Sequence, residues 1–443
     1  MMRKYFIFCV LLCFTAISRA NLVVECSTFN PISVTPQSST GLEAVYVVYN
    51  ANQTTITYTS ETGSSDVHWM VYDHRGGGYA EDVSEVKKDG ITTKITSPKS
   101  DCGYIIEDGS KRHYFWLIDY SKYVFSINGI SFPSEQDCGT VTMDIDATCP
   151  TITYYSVTGT PKTLDREIVI SYNTQEWDEE NQVYNTVESQ ESVENLGSRQ
   201  VLQAPLCDTQ FLITGDKFLQ QWGIGQTYMS DVFQANSIDL HTSATQQTRE
   251  NSNEQSSDDG TLGGSAPVEI EFASHCTDAV VYKEWQISQS QDFSTIDYRY
   301  NEESLDYTFR DQGTFYVKFV GSNSDGSCSV EGDVYTISIG ESVLDCPNVF
   351  SPNSSTGYND EWKVSYKSIV DFKCWIFDRY GNLVCQFNDP SQGWDGKYKG
   401  KYVKAGVYYY VIEAKGADGK QYKKKGDINI INSTRTDTNE TTE

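Results

Sequence analysis

Carboxylates, histidines and cysteines are the residues of this chain whose spacing could support chemistry. Asp144 with Asp146, and Asp258 with Asp259, are carboxylate pairs of the kind that hold calcium or divide the acid and base roles of glycoside hydrolysis. The first pair alternates along a strand-like run, and the second lies in a stretch dominated by Ser, Gln, Asn and Asp, so both read as solvated surface. His68 and His74 could meet on one hairpin as metal ligands. Together with His113, His241 and His275 they read better as scattered polar histidines. Arg75-Gly-Gly-Gly78 is a turn signal, and no Gly-x-Ser-x-Gly elbow, His-Glu-x-x-His pair or Cys-x-x-Cys pair occurs. The expectation is a non-enzymatic protein with no catalytic residues, no metal and no cofactor.

The cysteines point to an oxidising compartment. Ten of the 12 lie beyond residue 20, in separated groups, as structural disulfides require. Cys276 precedes Trp285, and Cys328 follows Gly313-Thr-Phe-Tyr-Val-Lys-Phe319, the Cys, Trp, Cys order of an immunoglobulin-like sandwich. A Cys276–Cys328 bridge is therefore expected, contributing roughly 4 kcal/mol in the chain-entropy treatment. Cys102 and Cys138 are the preferred pair of the first stretch on proximity, and Cys149 and Cys207 are candidates in the second. Cys374 and Cys385 flank a turn. With a four-residue loop, Asp378–Gly381, they would face each other with Cβ atoms about 4.5–5.5 Å apart, where a disulfide wants about 3.8 Å. A bridge and two free thiols both remain open there, as do the partners of Cys26 and Cys346.

The elements that position these residues are strands. Tyr is the commonest aromatic at 30 residues, Gly stands at 32, and no long helical periodicity is present, which favours an all-β chain of about four domains. Strand candidates are Ala44–Tyr49, Thr54–Thr59, His68–Tyr72, His113–Ile118, Tyr123–Ile130, Glu167–Tyr172 and Phe211–Thr214, with Trp69 as the core tryptophan of the first domain. The expected division is a leader at 1–20, immunoglobulin-like β-sandwiches at 21–148 and 149–262, a third at 263–342, a small β-sandwich at 343–433 and a tail at 434–443. Glu176–Glu194 reads as an acidic insertion, and Ser243–Gly264 as a flexible linker before Ala266-Pro267.

The ends of the chain speak to export. Arg3 and Lys4 precede the apolar run Tyr5–Ile17, and Ser18-Arg19-Ala20 offers the small residues a signal peptidase reads. That run is too short to span a bilayer and no longer one follows, so no transmembrane helix is expected. Formal net charge is −27, and the acidity lies upstream: residues 343–433 carry 13 Lys and Arg against 10 Asp and Glu. So acidic a surface repels nucleic acid and anionic membranes.

The last ninety residues hold three strand-like groups: Val364–Tyr366, Cys374–Asp378 turning into Leu383–Phe387, and Val407–Ala414 turning into Lys420–Lys424. Six motifs are threaded through them: Asn348-Val-Phe350-Ser-Pro352-Asn353, Tyr358-Asn359-Asp360-Glu361, Ile376-Phe-Asp-Arg379-Tyr-Gly381-Asn382, Gly393-Trp394-Asp395-Gly396, Ala405-Gly406-Val-Tyr-Tyr409-Tyr410 and Gly426-Asp427-Ile-Asn-Ile430. In order and spacing this region resembles the gliding-motility-associated, type B C-terminal sorting domain of Bacteroidota. Tyr380 stands where that family more often has Trp. The resemblance implies that the type IX secretion translocon is a partner, that the chain reaches the cell surface or outer membrane, and that a PorP/SprF-like outer-membrane β-barrel is its anchor. Tyr366–Asp371 with Gly426–Ile431 also resembles a PorA-like component of that system, and Tyr307–Phe309 with Gly313, Phe315 and Val317 resembles the closing strands of polycystic-kidney-disease-type repeats. The fold expected is tandem immunoglobulin-like or PKD-like sandwiches followed by a sorting domain. An exported envelope component is the first functional expectation, and an adhesin or glycan-binding cargo the alternative.

Overall fold

The computed structural model describes residues 21–255, 261–352 and 359–431. The leader, the 434–443 tail, Asp258, Asp259, Asn353 and Tyr358 lie outside the described residues. Among the described residues the regular structure is almost wholly strand, with one short α-helix at Lys217–Gln221. The chain divides into two compact units, the first running to Thr174 and including Val187–Gln234, the second formed by Gln175–Thr186 and the chain from Ala235 on.

In the first unit, a sheet of Leu22–Cys26, Thr54–Thr59, Thr92–Thr96 and Lys87–Asp89 faces a six-stranded sheet whose centre is Ala44–Val48, Lys111–Asp119, Cys102–Asp108 and Val67–Tyr72. Ile56, Trp69, Tyr104 and Phe115 fill the space between them, and Trp69 gives its indole N–H to Thr93 Oγ1 at 2.9 Å. The expected core tryptophan is in place.

The 148/149 boundary is not. Thr140–Thr148 pairs along its length with Arg199–Gln203 and with Ser126–Ser131, so the second sandwich begins near residue 126. A turn-rich stretch near 149 reads as a domain edge, but the sheet crosses it. The two sandwiches also share one core: Val45, Trp116 and Ile118 of the first pack into the cluster that holds Ile152, Ile170 and Phe211 of the second. Gly76 and Gly159, both at positive φ, bring two loops together backbone to backbone. A Cβ on Gly76 would meet Gly159 N at 2.7 Å. At the same joint, the fully buried guanidinium of Arg166 reaches Asp216 Oδ2 at 2.7 Å, Tyr120 Oη at 2.9 Å and the carbonyls of Tyr123 and Pro150, each at 2.8 Å. Every partner there is a hydrogen-bond acceptor, which is what makes a buried charge tolerable.

In the second unit, the third sandwich pairs Leu240–Gln246, Val268–Cys276 and Ser304–Phe309 in one sheet against Tyr335–Ile339, Gly313–Ser322, Tyr282–Ser288 and Tyr298–Tyr300 in the other. Trp285 is fully buried between Phe272 and Phe319. The predicted linker is structured over much of its length. Leu240–Gln246 matches Val268–Cys276 over seven registered pairs, and Leu262–Gly264 runs parallel to Tyr335–Ile339. Its polar composition misled because Gln246 spends its side-chain amide on the Gly263 backbone, accepting at 2.7 Å and donating at 3.0 Å.

The bridges expected from sequence are not formed. Cys102 is a buried thiol donating to Lys99 O, and Cys149 donates to Asn195 Oδ1; Cys276, Cys374 and Cys385 are also reduced. Cys138 and Cys328 do stand in disulfides, but neither with its predicted mate. Cys102 belongs to the core of the first sandwich, whereas Cys138 sits in the loop ahead of Thr140–Thr148 of the second. Cys328 packs in a small cluster with Ile238 and Val280, apart from Trp285. Cysteine order gives the sandwich and not the pairing.

Asp108 closes one end of the first sandwich. Its carboxylate accepts from Tyr58 Oη at 3.0 Å, Ser60 Oγ at 2.8 Å, the Glu61 N–H at 2.7 Å and the Thr62 hydroxyl. Burial pushes its carboxyl up, but the hydrogen bonds from Thr62, Ser60 and Tyr58 outweigh that and hold it well below the usual carboxylate range. A depressed folded pKa adds stability that is complete above the unfolded carboxyl's range, about pH 4, and is lost as pH falls through the folded value. Asp108→Asn turns a donor toward those donors and should cost about 1–3 kcal/mol in urea unfolding at pH 7. The gap to the parent should hold above about pH 5 and narrow only below about pH 4; a gap that narrows as pH rises would refute it.

Candidate recognition surface of the C-terminal domain

The domain from Leu344 on is a small sandwich. Its main sheet runs Val349–Phe350, Gln421–Ile430, Gly406–Gly416, Ile369–Phe377, Leu383–Phe387. The core is built on a tryptophan pair, Trp362 opposite Trp394, both buried. Trp362 donates to Pro347 O at 2.6 Å and Trp394 to Lys397 O at 3.0 Å, while Phe350 and Tyr408 lie against the Trp394 ring at 5.5 and 5.2 Å.

Most motif residues turn out to build this frame. Asn348 O accepts from Asn429 N at 2.8 Å and so ties the first motif to the last. Pro352 presses on Gly396, where a Cβ would sit 2.6 Å from the proline ring and φ is +75°. Asn359 takes a positive φ and accepts from Ser351 N at 2.8 Å, and next to it the buried Asp360 Oδ1 has no partner among the described residues. The Asp395 carboxylate accepts from Lys397 N and Nζ; burial would raise its pKa, and the Lys397 bonds hold it down. Gly406 sits at φ +145° at the start of its strand, and Gly426 leaves room for the Tyr410 hydroxyl. Asp427 accepts from the Asn429 amide at 2.7 Å.

Arg379 and Tyr380 do no such work. In the Asp378–Asn382 turn, Asp378 accepts from Tyr380 N, Asn382 N and the Asn382 amide, and Gly381 supplies a positive φ. The Asn382 amide holds the Asp378 carboxyl below its ordinary range. The side chains of Arg379 and Tyr380 project from this closed turn, Tyr380 74% exposed, with the guanidinium 4.8 Å over the phenol ring. The turn is one residue longer than predicted. A bulge at Ile376/Phe377 then sets Cys385 opposite Ile376 and Cys374 opposite Phe387, so the two thiols are out of register and cannot bridge.

Sequence reasoning missed two features. One end of the main sheet's outer face is apolar: Tyr409 lies beside Phe377 and Val411 beside Trp375, with Leu383 beyond Phe377, while Asp427 and Lys425 border them on the last strand. Tyr409 is 47% exposed and Leu383 43%. The unbroken run Val407–Ile412 carries that signal, since a strand with one wet face should alternate. The second feature is a strap. Residues 251–255 lie along Tyr366: Tyr366 N donates to Asn253 O at 3.1 Å, Gln255 N to Tyr366 O at 2.7 Å, and the Asn253 amide to Val364 O and Pro390 O at 2.8 and 2.7 Å. Ser265 Oγ accepts from Ser368 N at 2.8 Å beside it.

The chemistry candidates are dispersed. Asp144 is held by Arg199 at 2.7 Å. His68 lies 3.0 Å from Asp82 and His74 beside Asp73, so the two histidines do not meet. His241 stacks on Trp177 at 4.3 Å with His275 alongside, and His113 lies between Glu43 and Glu61. Among the described residues no group of three or more His, Cys, Asp or Glu could hold a metal ion, and no helix is long and apolar enough to cross a membrane.

Residues 344–430 match the CHU_C type IX secretion signal domain family, and residues 131–230 match a fibronectin type III domain family. The second match spans the 148/149 junction, as the pairing of Thr140–Thr148 requires. No curated protein matches the chain. Similar solved structures include dimeric latent PorU from Porphyromonas gingivalis (12% identity, TM-score 0.16, 72% of this chain and 35% of that one). Others are eight immunoglobulin domains of Down syndrome cell adhesion molecule (10%, TM-score 0.26, 92% and 56%) and chicken CNTN1 FN1–FN3 domains (11%, TM-score 0.24, 68% and 97%). The chain thus spans about a third of the PorU chain, and scores this low bear on neither fold nor function.

Truncating a buried Trp costs about 3–5 kcal/mol, so Trp394→Ala should lower the urea midpoint of the C-terminal domain sharply. Tyr380→Ala should stay within about 0.5 kcal/mol of the parent, since the ring is exposed and the turn closes without it. Equal midpoints for Trp394→Ala and the parent would show that Trp394 is not the core wedge.

Proposed function

We propose that residues 344–430 are the address by which the type IX secretion machinery carries this chain across the outer membrane, and that the upstream sandwiches form a non-enzymatic surface component displayed there. The observation that carries this reading is the secretion-signal family match over the same stretch where six ordered motifs converge on one tryptophan-centred sandwich. Fused sandwiches with dispersed histidines and ion-paired carboxylates favour a scaffold or docking role over catalysis. Retention at the outer membrane through a β-barrel of the PorP/SprF kind completes the proposal: the domain offers an exposed Arg379–Tyr380 tip and, on its main sheet, an exposed apolar patch of Leu383, Tyr409 and Val411, features of interaction surfaces.

Deleting residues 343–443 should leave a protein that accumulates in the periplasm and is absent from the cell surface, as read by fractionation and by labelling of intact cells. Surface display of the truncated chain at the parent's level would sink the proposal.

A further inference from the structure

The last strand of the C-terminal domain has one open side. Gln421–Ile430 pairs throughout with Gly406–Gly416, but on its other side Val349–Phe350 covers only Asn429 and Ile430. Residues 421–428 therefore present a free strand edge about 27 Å long at 3.4 Å per residue, and among the described residues no group hydrogen-bonds to that side. Beside this edge runs a groove of about 430 Å³ between residues 342–345 and 420–424. Its far wall, Val343–Asp345, is itself a strand that pairs with Ser365–Lys367 alone. Side chains cross the floor: Tyr422 Oη donates to Ser342 O at 2.8 Å, and Lys424 Nζ reaches Leu344 O.

An exposed edge of this length is a template for another strand, and a chain without a use for it blunts it. Here Lys420, Lys423, Lys424 and Lys425 lie along it, in a chain whose formal charge is otherwise strongly negative. Two such edges laid against each other would bring lysine rows together, so the same edge of a second copy is excluded as occupant. A strand carrying carboxylates opposite Lys423 and Lys425 is favoured by the same rule. We infer that the 421–428 edge is a docking site for an extended, acidic segment of a partner polypeptide, which adds to the main sheet as a sixth strand and seats one face over the groove. This rests on the reading of the domain as an export address and names the surface through which that address is read.

The test uses the full mature chain and a fluorescein-labelled acetyl-(Thr-Glu)5-amide peptide, with its fully N-methylated counterpart and a (Thr-Lys)5 peptide as comparisons. The acidic peptide should bind, the N-methylated one at least tenfold more weakly because its charge is kept and its backbone donors are gone, and the lysine peptide not measurably. Lys423→Glu with Lys425→Glu should weaken binding at least tenfold, while Lys373→Glu with Lys415→Glu, on neighbouring strands, should not. Because Lys423 faces Glu413, the Gln pair at 423 and 425 serves if the Glu pair melts below the parent. Equal binding of the N-methylated peptide overturns strand addition. Binding of phosphatidylglycerol vesicles in place of the peptide, abolished by the same variants, overturns the polypeptide in favour of an anionic lipid. In cells, a folded 423/425 variant should show at least tenfold less surface label. Parent-level label for that variant, with the 343–443 deletion unlabelled, defeats the edge and leaves the export reading intact; label on the deletion defeats the export reading itself.

Discussion

A β-sheet ends in two rows of backbone N–H and C=O groups that nothing within the sheet can satisfy. In a chain made almost entirely of sheets, where those rows go decides the architecture. In the first sandwich, Ile32–Val34 and Glu81–Asp82 are short end strands on the large sheet. In the third, Leu240–Gln246 and Leu262–Gly264, drawn from a stretch that looks like coil, close one side of each sheet. In the C-terminal domain the residues 251–255 do the same for Tyr366. The 421–428 edge stands out because the same solution stops two residues in.

Within each unit the sandwiches are joined by more than a tether. In the first, a shared apolar core, the Gly76–Gly159 backbone approach and the buried Arg166 cluster act at one joint. The helix at Lys217–Gln221 contributes as well: it is capped by Asp216 and followed by Trp222, whose indole N–H bonds Asn30 O at 2.8 Å in the first sandwich. A charge as deeply buried as Arg166 tolerates little displacement of its acceptors, which makes that joint stiff.

Much of this was legible in the sequence where the physics is local. Turn chemistry is local, so Asp378, Gly381 and Asn382 announced their hairpin, and Thr54–Thr59 and Leu383–Phe387 match the strands read from β-branched and aromatic runs. Trp69 and Trp285 were placed in cores because a large aromatic between alternating strands has nowhere else to go. What failed was non-local. Register depends on a bulge at Ile376/Phe377 that no residue type signals. Disulfide pairing depends on which strands face each other, and Cys276 stays a free thiol although it packs against the small cluster that holds Cys328. Asn253 and Gln246 were taken for linker because their composition is polar; their amides are consumed by backbone groups more than a hundred and about seventeen residues away, respectively.

The strap at 251–255 makes the C-terminal domain an incomplete object by itself. The backbone of Tyr366, the Val364 carbonyl and the Ser368 N–H find partners in Asn253, Gln255 and Ser265, which lie among the first strands of the third sandwich. A chain whose upstream sandwich is misassembled leaves those groups bare and the domain's second sheet loose. The last domain is thus finished by hydrogen bonds from the sandwich ahead of it, and its fold is complete only where that sandwich has folded.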